Sequence, residues 1–573
     1  MRWGWFGCLG LGVCIGLVDG CGHDDEAVFG EQGCEPGETQ LCVGPDDCSG
    51  AQICADDGSS WGPCDCGTGG TGGGGATGGT GGTGGMGGAG GAGGAAVTNP
   101  YVGVQFWAVD LPNERGFNDA AAAPWEVLLS NAGAQDAHVV IERNDADPGA
   151  ALSLAIETTV DVSAGDSVEV ILPRREVTGW TSTTPDPPGP PTTWLSSAAY
   201  RITSDVPIAA AQLNTAQNAF ANDGSLLVPQ ASLGTDYLVT GAPTANPITI
   251  GPAMAGVPDH TSVTIVGTEA GTSVTITAGH DLLGQGSTIP ETDAGDTVTA
   301  TLGPFDVLNL ASRCEQTLCT GDLTGTRVTA SAPVAVFTSG ERLIAPWDAT
   351  GLPTPPSYDG DHCCTEHMEE QMLPAGRYGT EYAVARSPVR STGSYAEPDI
   401  LRVLAASGTA HVQTSLAAPQ DSFTLAAGEH RDLWTQANAV ITADSPVIVS
   451  QVLVSQGFTE SGNGDPSLTI VPPTDAHSTR AHFHVASSWQ VSHVVITTPT
   501  SAEGALEIDG SSVAGTCSTE PICTTSHGAW SAVRCQVSEG AHVVEGAAPF
   551  SATVYGYGNV SSYAYAVGGS QLP

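Results

Sequence analysis

The stretch GTRVTASAPVAVFTS, residues 325–339, decides the fold, because the chain carries its pattern four times. A run of residues with high strand propensity leads to a polar kink and Pro333, and a second such run follows. Proline fixes φ and has no N–H to donate to a ladder, so it belongs at a strand start or an edge. Each copy therefore predicts two strand segments with a break between them. The other copies are AYRITSDVPIAAAQL (199–213, with Pro207), ANAVITADSPVIVSQ (437–451, with Pro446) and GAHVVEGAAPFSATVYG (540–556, with Pro549).

A second marker follows each of the first two copies at a fixed spacing. It consists of a proline, a glycine five residues later and a tyrosine three residues after that: Pro229, Gly234 and Tyr237 in VPQASLGTDYLV, and Pro374, Gly379 and Tyr382 in LPAGRYGTEYAV. The segment after the third copy is looser, and there we assign Phe483 to the aromatic position. The two markers together indicate an internal repeat.

The four prolines lie 126, 113 and 103 residues apart, and short strand-like runs alternate with turn residues between them. We find no convincing helical segment longer than two turns. About seven strands in each unit of roughly 100–125 residues predict an all-β chain of four consecutive immunoglobulin-like β-sandwich repeats. A β-propeller-like arrangement is the alternative, although a propeller blade usually repeats after about 40–50 residues.

Composition changes divide the chain further. The predicted divisions are a signal peptide (1–20), a polar tether (21–33), a disulfide-rich module (34–66), a Gly-rich linker (67–97) and four β repeats (98–229, 230–373, 374–472 and 473–573).

The N-terminus is typical of an export signal. Residues 1–20 contain one early arginine and then a run of apolar and glycine residues, which is too short and Gly-rich for a membrane span. The segment ends in LVDGC, which resembles a bacterial lipobox and implies diacylglyceryl attachment at Cys21, although Asp19 departs from that pattern. We therefore expect a lipid-anchored protein at the outer membrane or cell surface, with a secreted or periplasmic protein as the alternative.

Six cysteines lie within residues 34–66, which an exported chain would oxidise to three disulfides. Their pairing stays open, since six cysteines allow 15 connectivities. The candidates are Cys34, Cys42, Cys48, Cys54, Cys64 and Cys66.

Charge excludes several function classes. The chain of 573 residues has 61 Asp and Glu against 16 basic residues, and every basic residue is arginine. Recognition of a nucleic-acid backbone needs clustered cations, so we expect no nucleic-acid partner. The absence of lysine also excludes a Walker-A lysine, a kinase β3 lysine and a Schiff-base amine.

The stretch DHCCTEHMEEQMLP, residues 361–374, has two interpretations. One is a transition-metal site formed by His362, Cys363, Cys364 and His367. The other is a connector between repeats that is stapled by a disulfide, and we favour it because thiols of exported proteins are oxidised.

The remaining cysteines also suggest staples. Cys314 with Cys319, and Cys517 with Cys523, are placed to close hairpins. The seven body cysteines are odd in number, so one is free or pairs elsewhere, or a strained vicinal 363–364 bridge leaves Cys535 buried.

A search for catalytic patterns finds neither G-x-S-x-G nor H-E-x-x-H, so we expect no catalytic residues, no metal and no cofactor. His482 and His484 occupy one strand face, which we interpret as solvated or partly packed. The Pro-rich segment 178–195 contains Trp180 and Trp194, and exposed aromatic residues there are candidates for ligand contact.

Several motifs occur in the order of a known family. GDLTGTRVTASAPVAVFTSGE, EHMEEQMLPAGRYGTEYAV and the closing APFSATVYGYGNVSSYAYAVGG resemble the IgGFc-binding protein N-terminal domain family over most of residues 100–570. The resemblance implies an exported all-β module. It also implies a central motif that falls here on Cys364, His367, Glu370, Gln371 and Pro374, with one extra residue between the cysteine and the histidine.

Three functions compete. The first is a membrane-anchored surface binding or adhesion protein whose ligand is an extracellular protein or glycan. The second is a purely structural envelope component, and the third is a hydrolase of an extracellular polymer, which needs a positioned pair of carboxylates. We favour the first.

Overall fold

The computed structural model describes residues 39–43, 49–53, 101–114, 120–178, 193–215, 221–244, 259–313, 321–358, 360, 363–525 and 528–567. Two units are distinguished, Met1–Gly94 and Ala95–Pro573. In the first unit, β1 (Thr39–Val43) and β2 (Ser49–Ile53) form an antiparallel hairpin within the predicted disulfide-rich module. In the described ranges no helix has the length and apolarity needed to cross a membrane.

The second unit is built of strands joined by short 3-10 turns. The strands are β3 Val102–Ala108, β4 Trp125–Ser130, β5 Ala137–Asn144, β6 Leu154–Val162, β7 Ser167–Leu172, β8 Trp194–Ser196, β9 Tyr200–Asn214, β10 Asp223–Leu226, β11 Gly234–Leu238, β12 Thr261–Gly267, β13 Thr272–Thr277, β14 Thr297–Leu302, β15 Val307–Ala311, β16 Arg327–Leu343, β17 Glu366–Gln371, β18 Gly379–Val384, β19 Asp399–Ala405, β20 Thr409–Thr414, β21 Ser422–Ala426, β22 His430–Thr435, β23 Ala439–Leu453, β24 Leu468–Ile470, β25 Ser478–Val485, β26 Val491–Pro499, β27 Glu507–Ile508, β28 Ser511–Ser512, β29 Ser518–Thr525, β30 Gly528–Val537, β31 Gly540–Gly558 and β32 Ser561–Val567. The 3-10 turns are Ala120–Ala122, Gln230–Ser232, Ala375–Arg377, Gln456–Phe458, Thr474–Ala476 and Thr500–Ala505.

These strands form four antiparallel sheets that follow one another along the chain. The strand orders are β6-β5-β9-β4-β7 in sheet 1, β14-β13-β16-β12-β15-β8 in sheet 2, β21-β20-β23-β19-β22 in sheet 3 and β28-β27-β31-β26-β30-β29 in sheet 4. Two further strands pair with the central long strand of each sheet: β3 and β10, β11 and β17, β18 and β24, and β25 and β32. The four sheets therefore share one plan around β9, β16, β23 and β31.

Each long strand changes partners at its proline. In sheet 1, the half of β9 before Pro207 pairs with β5, and the half after it pairs with β4 and β10. β3 pairs with both halves, with a register shift between Gly103 and Gln105. Pro333, Pro446 and Pro549 lie at the same break in β16, β23 and β31. The break costs no ladder bond at the proline, which has no N–H to donate. The sheet thereby curls, and its two halves enclose a core.

The polar residue two positions before the proline has a defined task in three copies. The side chain of Asp205 accepts the backbone N–H of His138 at 2.7 Å, Asp444 accepts that of His411 at 2.8 Å, and Ser331 accepts that of Ser273 at 2.9 Å. The side chain at the kink therefore accepts a backbone N–H of the neighbouring strand where the ladder is interrupted.

The proline of the second marker packs on the preceding sheet. A Cβ at Gly103 would lie 2.4 Å from Cβ of Pro229, one at Gly234 would lie 2.5 Å from Cβ of Pro374, and one at Gly379 would lie 2.2 Å from Cβ of Pro473. Real Cβ atoms do not approach so closely, so glycine is required at each position. Each proline of the second marker thus contacts the glycine of the preceding sheet, and these contacts connect successive sheets.

The aromatic position that follows is also repeated. Tyr237 and Tyr382 donate their hydroxyls to the carbonyls of Val334 and Val447. The equivalent residue of sheet 1 is Phe106, and in sheet 4 the register places Ala481 there, opposite Val544. The assignment of Phe483 to this position was wrong by two residues, because the position eight residues after Pro473 holds Ala481 and carries no aromatic side chain.

Shared cores join the sheets in a closed ring. Apolar residues of sheets 1 and 4 form one cluster, in which Phe305 and Phe337 of sheet 2 also take part. Sheets 2 and 3 share two clusters, and sheets 3 and 4 share another. The chain thus returns to its beginning, with the last sheet packed on the first.

The all-β prediction and the four consecutive antiparallel sheets are confirmed in the described residues. The four sheets follow one another around a ring, as the blades of a propeller do. Each sheet is also curled around apolar residues, as in a β-sandwich. One strand crosses a predicted boundary, since β8 lies in residues 98–229 but pairs with β15 of sheet 2. The division into four folding units stays a prediction.

Candidate functional site

The stretch 361–374 contains β17, a buried strand of sheet 2. His362 lies outside the described residues, Cys363 and Cys364 are joined by a disulfide, and β17 begins at Glu366. His367, Glu370 and Gln371 are at most 4% exposed. Pro374 packs on Gly234, as described above. The stretch therefore serves as a core strand with a bridged cysteine pair in front of it.

Asp223 on β10 connects all four sheets at the centre of the ring. Its carboxyl oxygens accept the backbone N–H groups of Glu369 (sheet 2) and Leu468 (sheet 3) at 3.1 Å, and that of Ala564 (sheet 4) at 3.4 Å. The Ser467 hydroxyl donates to the same carboxyl group at 2.6 Å. The four inner strands β10, β17, β24 and β32 belong to different sheets. The side chain of Asp223 connects them by hydrogen bonds to the backbones of the other three strands.

Further acids surround Asp223. Burial raises the pKa of Glu366, Glu369 and Glu370 well above the usual value, and neighbouring acids add to the shift of Glu366 and Glu370. Burial also raises the pKa of Asp465 to about 7 and lowers that of His367 to about 3. We call Asp223, Glu366, His367, Glu369 and Glu370 the central cluster. Burial thus favours the protonated form of its glutamates, and its histidine, with a pKa of about 3, is uncharged at neutral pH.

The metal interpretation can be compared with the geometry. Among the residues that the structure describes, no group of three or more His, Cys, Asp or Glu side chains is placed to hold a metal ion. The two cysteines of the stretch are joined to each other. The acidic residues of the central cluster are buried and take part in hydrogen bonds between the inner strands.

A polar clasp closes the ring between sheets 1 and 4. His484 on β25 lies between Ser167 and Glu169 on β7, with Nδ1 2.6 Å from the serine oxygen and Nε2 3.0 Å from a carboxylate oxygen. Glu169 also accepts the backbone N–H and hydroxyl of Ser487. Burial alone would raise the pKa of Glu169, but these hydrogen bonds outweigh it and lower the pKa. His484 was predicted to be solvated or partly packed, and it is 7% exposed.

An open cleft lies between the connector after β16 and the β20–β21 loop of sheet 3. Its volume is about 610 Å³, which falls in the range of small-ligand sites. We call it the tryptophan cleft, after the two indole rings in its lining. Its lining includes Trp347, Asp348, Ile400, Gln420, Asp432 and Trp434.

Buried charge fixes one wall of the tryptophan cleft. Arg402 is 1% exposed, and its guanidinium group donates to Asp432 at 2.7 and 2.9 Å and to Asp322 at 2.8 Å. The guanidinium carbon also lies 4.8 Å from the centroid of the Trp347 ring, a cation–π distance. The arginine charge is therefore compensated by two carboxylates and does not act as a free cation in the cleft.

Several predicted site residues lie outside the described residues. These are Cys21, Cys34, Cys48, Cys54, Cys64, Cys66, Trp180, Cys314 and Cys319. Cys42 lies on β1. Trp194 begins β8 and is 40% exposed, so it stays a candidate for ligand contact.

One predicted staple is different in the structure. Cys517 bonds to Cys535, and not to Cys523 as the spacing suggested; Cys523 is itself in a disulfide. The β29–β30 hairpin brings residues 18 positions apart to a Cα separation of 4.6 Å, within the range that a disulfide requires. Cys535 was the residue that sequence reasoning left over, because the pairing depends on strand register.

The sequence does not indicate the tryptophan cleft, whose lining comes from separate segments of the chain. Trp347 stands in the connector APWDATGLPTPP, where a tryptophan beside turn residues and an aspartate was a usable signal of an exposed aromatic. Trp434, in HRDLWT, is indistinguishable from a core aromatic of a strand. Only the tertiary structure brings these two residues, 87 positions apart, to one surface.

The fold and the site define the class: an all-β repeat protein, closed into a ring, with an open ligand-sized cleft. The chain belongs to the family described as IgGFc binding protein, whose model matches residues 223–556. The match begins at Asp223 and includes the central cluster, the tryptophan cleft and most of the ring.

A curated relative supports the same assignment. The chain is 31% identical over 186 residues to a human protein named IgGFc-binding protein, which is 32% of this chain and 3% of the human protein. The chain thus spans a small fraction of that relative's length. No solved structure matches the chain.

Proposed function

We propose that the chain is an exported surface protein, anchored through a lipid on Cys21, whose β ring binds an extracellular protein or glycan. The binding class follows from the family. The observation that supports a discrete ligand is the tryptophan cleft, which is open and lined by half-buried aromatic residues. A ligand-sized concave surface with aromatic walls is the usual form of a binding site.

The anchoring is tested in cells that produce the chain. We expect the wild-type chain in the membrane fraction, with a diacylglyceryl group on Cys21 by mass spectrometry, and degradation by protease added to intact cells. Cys21→Ser should move the chain to the soluble fraction. An unmodified N-terminus, or fractionation that does not change in the variant, contradicts the anchor.

Binding is tested separately with the purified full-length chain on an array of proteins and glycans. Immunoglobulin G belongs on that array because of the human relative's name. Reproducible retention of one ligand class supports a binding protein. If the array retains none, the purely structural envelope component replaces it.

A hydrolase is the second candidate, because the clasp has the order serine, imidazole, carboxylate of a nucleophilic enzyme. The same contacts also serve to hold sheet 1 on sheet 4. Labelling by a fluorophosphonate probe that is lost in Ser167→Ala would favour the enzyme. Absence of labelling in folded protein leaves the clasp a structural contact.

A further inference from the structure

We propose that the tryptophan cleft binds a neutral carbohydrate, with the sugar ring against the indole of Trp434 and its hydroxyls directed to the carboxylates of the rim. This inference rests on the proposed binding function and specifies the ligand class.

The wall of Trp347 is held in place. Its indole N–H donates to Asp432 at 3.0 Å, and the Arg402 guanidinium group lies over the ring. The connector itself is attached to sheet 3, since Ser455 N–H donates to the carbonyl of Ala345 at 2.6 Å. A ring fixed in this way loses little conformational entropy when a ligand arrives.

The backbone of the opposite wall is also held in place. The Gln420 side chain accepts the backbone N–H of Trp434 at 2.7 Å and donates to its carbonyl at 3.2 Å. Arg431 donates to the carbonyl of Pro419 at 3.0 Å, which holds the loop to β22. Both walls therefore exist before binding, as in most small-ligand sites.

Floor and rim differ in polarity. Ile400 and Leu433 in the floor are buried and apolar, whereas Asp348 and Thr350 at the rim are exposed. A pyranose ring has the same division, with C–H bonds on one face and hydroxyl groups at the edge. An aromatic face takes the apolar side, and carboxylates accept from the hydroxyls.

Charge selects among carbohydrates. Asp348 is exposed, and the hydroxyl and N–H of Thr350 lower the pKa of its carboxyl, so it is ionised at neutral pH. The lining includes Asp348 and Asp432 but no arginine. A sialylated or sulfated sugar would be repelled, whereas a neutral one would not.

A proline-rich peptide, the other common guest of aromatic grooves, fits less well. Such grooves donate an indole N–H to a peptide carbonyl in addition to offering ring faces. Here the indole N–H of Trp347 already donates to Asp432, so only its ring remains for contact. At the Trp347 wall the available groups are thus the ring and the nearby carboxylate of Asp348, which suits hydroxyl donors.

The experiment uses the purified full-length chain. The array carries neutral hexose and N-acetylhexosamine oligosaccharides, sialylated and sulfated oligosaccharides, proline-rich peptides and immunoglobulin G. We expect retention of at least one neutral oligosaccharide. Trp434→Ala should weaken that binding by about tenfold or more, and Trp434→Phe should restore part of it.

Two controls separate the site from the fold. Ile156→Ala removes an exposed apolar side chain on β6, outside the cleft, and should leave affinity unchanged. Asp348→Asn should keep the neutral ligand and reduce the discrimination against acidic ones. Melting curves establish that each variant is folded.

The inference is wrong if no neutral oligosaccharide is retained, if Trp434→Ala in folded protein binds as wild type does, or if only acidic glycans or proline-rich peptides bind. Retention of immunoglobulin G or another protein without any glycan would overturn the carbohydrate site and leave the binding function standing. Retention of nothing would overturn both.

Discussion

Acidic residues occupy two contrasting regions of this molecule. In the central cluster, Glu369 and Glu370 are buried on an inner strand, and burial raises their pKa well above the usual value. At the tryptophan cleft, Asp348 is exposed and its pKa is lowered by Thr350. The protein environment therefore favours the protonated form of the carboxyl group in one place and the charged form, facing solvent, in the other.

The family motif lies in the buried region. His367, Glu370 and Gln371 are on a buried strand, and Pro374 packs on Gly234 of the same sheet. The residues that a ligand can reach in the tryptophan cleft lie on the connector after β16, on the β20–β21 loop and on β22. Substitutions should therefore damage stability at the centre and binding at the cleft.

The largest effect is expected from Asp223→Ala. It leaves three backbone N–H groups of the other sheets and one serine hydroxyl without their acceptor in a buried place, which should lower the free energy of unfolding by about 3–5 kcal/mol. Urea unfolding measures it. Asp348→Ala, the matched change at the cleft, should cost about 0.5 kcal/mol or less. Equal losses of unfolding free energy in the two variants would contradict the difference between the central cluster and the tryptophan cleft.

A smaller loss is expected from Gly379→Ala, because the added methyl would lie 2.2 Å from Cβ of Pro473. Displacing the Pro473 turn should cost about 2 kcal/mol. Gly376→Ala is the control, since nothing lies within 4 Å of a Cβ there. Thermal melting of both variants checks whether the glycine-to-proline contacts hold successive sheets together; a neutral Gly379→Ala would show that they do not.

A buried acid should also make stability depend on pH. Burial, then the charge of Glu169, raises the pKa of Glu126 to about 8, from about 4.3 in the unfolded chain. The native state therefore holds a proton that the unfolded state has released, and stability declines as pH rises through 8. Between pH 6.5 and 8.5 this one group should remove about 2 kcal/mol.

Glu126→Gln should flatten that part of the pH profile. Asp444→Asn is the control, because hydrogen bonds from His411 lower the pKa of Asp444 and it is ionised in both states over this interval. Urea unfolding at several pH values measures both slopes. A Glu126→Gln profile as steep as that of the wild type would assign the pH dependence to other groups.

The smallest effect is expected from Tyr382→Phe. Its hydroxyl donates to the carbonyl of Val447 and accepts the N–H of Gly379 at 3.0 Å. Loss of both bonds should cost about 1–2 kcal/mol, and Tyr237→Phe in sheet 2 should cost the same. The two losses should add, because the sites lie in different sheets. A much larger loss in one sheet would show that the repeats are not energetically alike.

Some features of the fold were predictable from the sequence and others were not. The four prolines and the Pro–Gly–Tyr spacing predicted the repeated strand plan, since proline chemistry acts locally and leaves a local pattern. The pairing of Cys517 with Cys535, the crossing of β8 into sheet 2 and the place of Ala481 were not predictable. Each depends on which strands become neighbours, and on register.

Backbone sterics and charge are properties of the residues themselves, so the strand breaks at the prolines and the strongly acidic composition can be read directly from the amino-acid sequence. The packing of the last sheet on the first, the hydrogen bonds of Asp223 to three other strands and the approach of two distant tryptophans at one cleft are visible only in the folded chain. These features arise from contacts between residues far apart in the chain, and no local preference specifies which distant surface will be buried against which.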